Sequence, residues 1–243
     1  MRTYSPNFYL AFFLLLNIFN FIDRNLLIAF APQIKSDFNL TNVEWGLLTG
    51  VYFLFFYSVF GIFMGVLGDK FNRMKIIAAG VLLWSLMTAF TGMAKNFAHL
   101  IVARALIGVG ESALTPNSIS MLSDVYNQNK RGTASAIYYL GIPLGVGLAM
   151  LIASIFGPMF GWRAVFISLG LIGVGLAIIT YFLIEPIRGQ LDNVSQNDEK
   201  SMSIREIFSL TKSTLYNSKS LTLIIVGSIF LHIPLGAGNF EVL

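Results

Sequence analysis

The chain is 243 residues long, 56% hydrophobic and 12% charged, with 22 Phe, 22 Gly, no Cys and a formal net charge of +4; its mean hydropathy is +0.73. Soluble domains carry about 25% charged residues, and the missing charge is what hydrocarbon excludes, because an ionised side chain at the bilayer centre costs several kcal/mol. A pI near 9.3 is no nucleic-acid signal here, since the bases sit in separate short loops without a basic face, and the lack of Cys excludes disulfides, thiolate chemistry and Cys-based metal sites.

Crossing a bilayer takes about 20 apolar residues. Six runs meet that length, at 8–31, 45–67, 76–94, 97–122, 133–156 and 164–184. A seventh begins near Leu221 and is still apolar at Leu243. The first run contains an acid and an arginine and no small-residue cleavage site follows it, so it reads as a retained helix, not a signal peptide. Backbone groups cannot go unpaired in lipid, and barrel strands of about 10 alternating residues do not fit runs this long. The expectation is an all-α membrane protein: six spans over 1–184, a polar linker over 185–220 and a partial seventh span over 221–243. The linker is rich in Ser, Asn, Asp, Glu and Lys, which cannot bury a core, and 204–215 could form an amphipathic surface helix. Six helices, a long linker and a new helix read as the midpoint of a twelve-helix protein, so the chain is expected to be an N-terminal half with part of the next span.

Lys and Arg set the orientation. With the N-terminus inside, the inner loops hold eleven of them, from Arg2 to Lys219, and the outer loops hold Lys35, Lys95 and Arg163. The N-terminus is therefore expected on the cytoplasmic side of a cell membrane. Small residues four apart, Gly46 and Gly50, Gly61 and Gly65, and Gly141 and Gly145, fit close helix contacts. Pro143 between Gly141 and Gly145 removes a helical hydrogen bond, so the fifth span is expected to bend there, as a packing kink or as a gate.

Four ionisable residues lie inside spans: Asp23 and Arg24 in the first, Arg104 and Glu111 in the fourth. Arg104 and Glu111 are seven apart and share a face, with Gly108 between them. Asp23 and Arg24 diverge by about 100°, so Arg24 is free to reach toward Glu111. Two acids and two bases at similar depth neutralise one another, either as a structural ion-pair cluster or as a proton-coupled, anion-tolerant cavity. In the second reading Asp23 is the first candidate proton carrier and Glu111 the second. His99 and His232 have no metal-ligand neighbours at helical spacing, Gly108-Val109-Gly110 lacks the strand-turn-helix context of a nucleotide loop, and no Walker, Ser-His-Asp or HExxH pattern occurs. No enzyme activity, cofactor or metal is expected.

Gly65-Val66-Leu67-Gly68-Asp69-Lys70-Phe71-Asn72-Arg73-Met74-Lys75 joins the second and third spans. Its order of glycine, acid and bases resembles the signature loop of the major facilitator superfamily, with Asn72 where many members have glycine. Arg104 to Glu111 resembles the helix-four R-x-x-x-G-x-G pattern, and Glu185-Pro186-Ile187-Arg188-Gly189 the charged motif after helix six. Together with Phe21-Ile22-Asp23-Arg24, these segments are most similar to the spinster-like branch. The resemblance implies a six-helix bundle of two inverted three-helix repeats, facing a second half absent here. It also implies alternating-access transport, with amphipathic lipids such as lysophospholipids or sphingosine phosphate as substrates. A small carboxylate or sugar acid is the alternative, by similarity to the organic anion–cation symporter branch. The loop is implied to be a gate: Asp69 would cap a helix of the second half, and Arg73 would pair with Asp69 and Asp124, with Gly65 and Lys70 as further motif positions. A reading of another class is a transport-inactive fragment or a membrane scaffold.

Overall fold

The computed structural model of the chain describes residues 4–189 and 191, all helical apart from short turns; the rest of the linker and the seventh span lie outside the described residues. The first span is α1, Pro6–Ala29. Ser5 caps it, its side chain accepting from the Phe8 N–H, with Pro6 at the first position where a missing N–H costs nothing. A short helix unforeseen in the sequence, α2 (Ala31–Phe38), follows and stops at Asn39 in the left-handed conformation. The second span begins on a capping box, Thr41 with Glu44, and runs as α3 (Asn42–Gly46), a π-helical turn (Leu47–Val51) and α4 (Tyr52–Lys70). The third is α5, Arg73–Gly92, capped by Asn72.

The fourth span differs from the expected single run. It divides into α6 (Phe97–Glu111) and α7 (Leu114–Val125), broken at Ser112 and Ala113. Pro116 has no N–H to offer the Ser112 carbonyl one turn earlier, which accounts for a break immediately after Glu111. The fifth is α8 (Gln128–Tyr139) and the start of α9 (Gly141–Phe182). The stretch Gln128–Phe182 holds 55 residues, about 80 Å at helical rise and too long for one crossing. It is the expected fifth and sixth spans run together. The break expected between them, over 157–163, is reduced to Gly161, whose φ of 76° only glycine adopts without strain.

Among the described residues, five helical stretches are long and apolar enough to cross a membrane, the last of them long enough for two crossings. α5 packs against α9 and α6, α1 against α9, and α4 against α6. Lipid tails are as apolar as leucine, so between spans close contact replaces the hydrophobic drive. A Cβ on Gly80 would meet the Gly110 carbonyl oxygen at 2.6 Å, and one on Gly170 would meet Ala89 N and Ser85 O at 2.5 Å. Gly141 and Gly145 hold the same kind of seat, against Asn17 and against Phe21 and Ile18 of α1. The interruption at Leu140 lies just before Pro143, whose ring leaves the Tyr139 carbonyl without its helical donor. Gly50, Gly61 and Gly65 depart from the expectation, with nothing within 4 Å of a Cβ on any of them. They lie in the second span, and within α4 only Phe53 and Gly68 are buried. Their spacing is that of a helix contact, but no helix among the described residues meets it.

Candidate functional site

Two charged clusters stand out, one inside the bundle and one at the end where the 71–72, 126–127 and 183–189 turns gather. The inner cluster is built on α1 and α6. Arg24 reaches across to Glu111 and donates twice to its Oε2, from Nη2 at 2.6 Å and from Nε at 3.1 Å. The Glu111 side chain is fully buried and Arg24 is 23% exposed. Asp23, on the adjacent face, is buried against α5 and accepts from the Thr88 hydroxyl at 2.5 Å. The 100° divergence of neighbouring helical residues thus gives the two side chains different partners.

Asp23 is 1% exposed among packed helices. Arg104 makes no ion pair among the described residues and is 3% exposed. Its guanidinium lies 4.9 Å from the centre of the Phe53 ring, and that of Arg24 lies 4.5 Å from the same ring. Gly108 permits this approach, since a Cβ there would come within 2.7 Å of the Phe53 carbonyl oxygen. The π-helical turn and the Phe53 ring left no mark that the sequence reading caught. π-Turns tend to occur at functional sites but carry no residue signature.

At the loop end Arg73 is the hub. It is 3% exposed, pairs with Glu185 at 2.6 Å and with Asp124 at 2.7 Å, and donates to the Ser120 hydroxyl at 2.8 Å. The expected pair with Asp124 is present. The expected pair with Asp69 is not found among the described residues; Glu185 stands in its place, brought back from the end of the sixth span. Asp69 takes part through its backbone, its carbonyl accepting from Arg188 Nη1 at 2.5 Å, while Phe71 O accepts from Arg188 Nη2. Carbonyls at a helix C-terminus carry partial negative charge, so an arginine suits the end of α4. Arg188 also pairs with Glu185 at 3.2 Å, and the Gly189 N–H donates to Asp124 at 2.9 Å. Beside this cluster a cavity of about 160 Å³ is lined by Gly65, Gly68, Asp69, Arg73, Pro116, Asn117 and Ser120. Lys70 is exposed at the end of α4. Among the described residues no group of His, Asp and Glu is arranged to hold a metal.

A family model described as Major Facilitator Superfamily matches residues 13–239. The sphingosine-1-phosphate transporter SPNS2 of Danio rerio is 35% identical over 182 residues, covering 72% of this chain and 36% of that protein. The probable L-galactonate transporter of Escherichia coli (strain K12) is 29% identical over 166 residues, covering 68% of this chain and 36% of that protein. Among solved structures, a bacterial homolog of the human lysosomal transporter Spinster, inward-facing and unoccupied, matches with a TM-score of 0.70 and 31% identity over 84% of this chain and 48% of its own. The chain spans between about a third and a half of the proteins it matches. With the helix order, the loop motif and the family model in agreement, the chain belongs to the Major Facilitator Superfamily and is similar to its spinster-like members.

Proposed function

We propose that this chain forms the N-terminal half of a proton-coupled secondary transporter that works by alternating access, with its N-terminus in the cytoplasm of a cell membrane. The observation that carries the coupling is the buried Arg24–Glu111 pair beside Asp23. Buried ion pairs are poor stabilisers, and replacing them by apolar residues is often neutral or better, so four charges within two spans favour a role beyond packing. A proton on an acid that faces an arginine changes the balance of charge among the helices, and a rocking bundle can respond to it. The matched relatives include a sphingosine-1-phosphate transporter and a probable L-galactonate transporter. Both of those named substrates carry an anionic group, and an amphipathic lipid of the first kind is the preferred class here, with the sugar acid second. The Arg73 cluster is read as the inner latch, with Asp69 offered to a helix of the second half.

The test is transport by a full-length protein carrying these residues, reconstituted in vesicles with sphingosine-1-phosphate and L-galactonate as separate probes. Asp23→Asn should remove the dependence on a proton gradient while insertion and folding persist. Gradient dependence that survives in this variant removes Asp23 as the carrier and passes the test to Glu111→Gln.

A further inference from the structure

We propose that Phe53 is the positioning residue of the inner charge cluster: its ring holds both Arg24 and Arg104 and so leaves Glu111 with a single arginine partner. The guanidinium carbons of the two arginines lie 4.5 and 4.9 Å from the centre of that one ring. Two like charges gathered in one buried place repel, and the negative face of an aromatic ring is one of the few uncharged groups that attracts both. Arg24 is steadied further by Phe21 and Tyr57, each with its ring centre 5.0 Å away. Arg104 has only Phe53 among these rings, and its Nε has no hydrogen-bond partner. It shares a helix face with Glu111, yet the ion pair of Glu111 is made by Arg24 from another span.

Phe53 stands apart from its own helix. α4 buries only this residue and Gly68, and Phe53 is 2% exposed. Two backbone features aim it. The Tyr52 N–H reaches back five residues to the Leu47 carbonyl, closing the π-helical turn one residue before Phe53, and the extra residue in that turn resets the direction in which the ring points. Gly108, between Arg104 and Glu111, then lets the Phe53 carbonyl seat against α6 at 2.7 Å from where a Cβ would stand. A leucine in this seat would fill space; only an aromatic face would hold two cations.

This inference deepens the coupling reading of the same cluster, but its test observes the two arginines directly and stands whether or not the cluster couples transport. The full-length protein is labelled with ¹⁵N-arginine in detergent micelles, and the Nε–Hε signals are assigned with Arg24→Lys and Arg104→Lys. Position 53 is then occupied by phenylalanine bearing one, two or three ring fluorines, which drain the ring face stepwise at nearly constant shape. Both the Arg24 and Arg104 signals should move in step with fluorination while those of Arg73 and Arg163 stay fixed. The melting temperature should fall by about 4 °C across the series. Unmoved signals, movement of only one arginine, or a melting temperature indifferent to fluorination makes Phe53 a packing residue and overturns the proposal.

Discussion

Arg73→Met tests how the loop-end cluster is held together. The substitution keeps much of the side-chain length but removes the charge shared by Asp124 and Glu185, whose side chains are 11% and 13% exposed. Removing one partner of a buried ion pair costs about 3–5 kcal/mol, because the other charge is left uncompensated. Two features of this site place the loss at the lower end. Arg188 still stands 3.2 Å from Glu185, and the Gly189 N–H still donates to Asp124. A loss of about 3 kcal/mol corresponds to a melting temperature lowered by roughly 6–12 °C for a domain of 150–250 residues. The decisive comparison is the triple variant Arg73→Met with Asp124→Asn and Glu185→Gln. Once the carboxylates are neutral the stranded charge is gone, so the triple variant should recover more than half of the loss. Thermal melting of the solubilised protein reads both. A single variant that loses less than about 1 kcal/mol, or a triple variant no more stable than the single, refutes the account of Arg73 as the neutralising hub.

Gly170→Ala should lower stability by about 1–3 kcal/mol, since its Cβ meets backbone atoms of α5 that cannot move aside. Gly175→Ala, in the same helix with nothing within 4 Å, should instead gain up to about 1 kcal/mol from helix propensity; melting curves that fail to separate the two refute the close-contact account. Trp162→Phe removes the indole N–H bond to Asp37 at 2.9 Å and weakens the stacking of Arg163, 4.4 Å from the Trp162 ring centre. Because Asp37 is 45% exposed and can turn to water, the cost should be only about 1 kcal/mol, read as a small drop in melting temperature, and Asp37→Ala, which leaves no acceptor for the indole N–H, should remove most of the difference between Trp and Phe at position 162.

Much of this arrangement could be read along the chain, because lipid simplifies the code. Runs of some 20 apolar residues have few other outcomes, and the like depth of Arg24 in the first span and Glu111 in the fourth leaves their contact open to the sequence. The features that escaped depend on where helices meet. Thr88 is an ordinary threonine in an apolar run until α5 brings it to Asp23. Glu185 was visible as part of a charged motif, yet its pairing with Arg73 in place of Asp69 depends on how the sixth span returns to the loop. The glycine spacing of 61 and 65 equals that of 141 and 145, but spacing states only that a helix could approach, not that one does. Gly161 shows a different gap: the break between spans five and six is legible over 157–163, but not that a single positive φ makes the whole turn.

The loop-end cluster also sets an order of events during synthesis. Arg73 and Glu185 are 112 residues apart, and Arg188 and the Asp69 carbonyl 119. At about 5–20 residues per second, roughly 6–22 s separate the emergence of Arg73 from that of its partner. Until then Arg73 lacks at least half of its counter-charge, and all of it until Asp124 has been made. The last turn of the sixth span then acts as a clasp that closes only on a finished bundle, and a nascent chain halted before Glu185 would present an unfastened basic loop to whatever in the cell inspects incomplete membrane proteins.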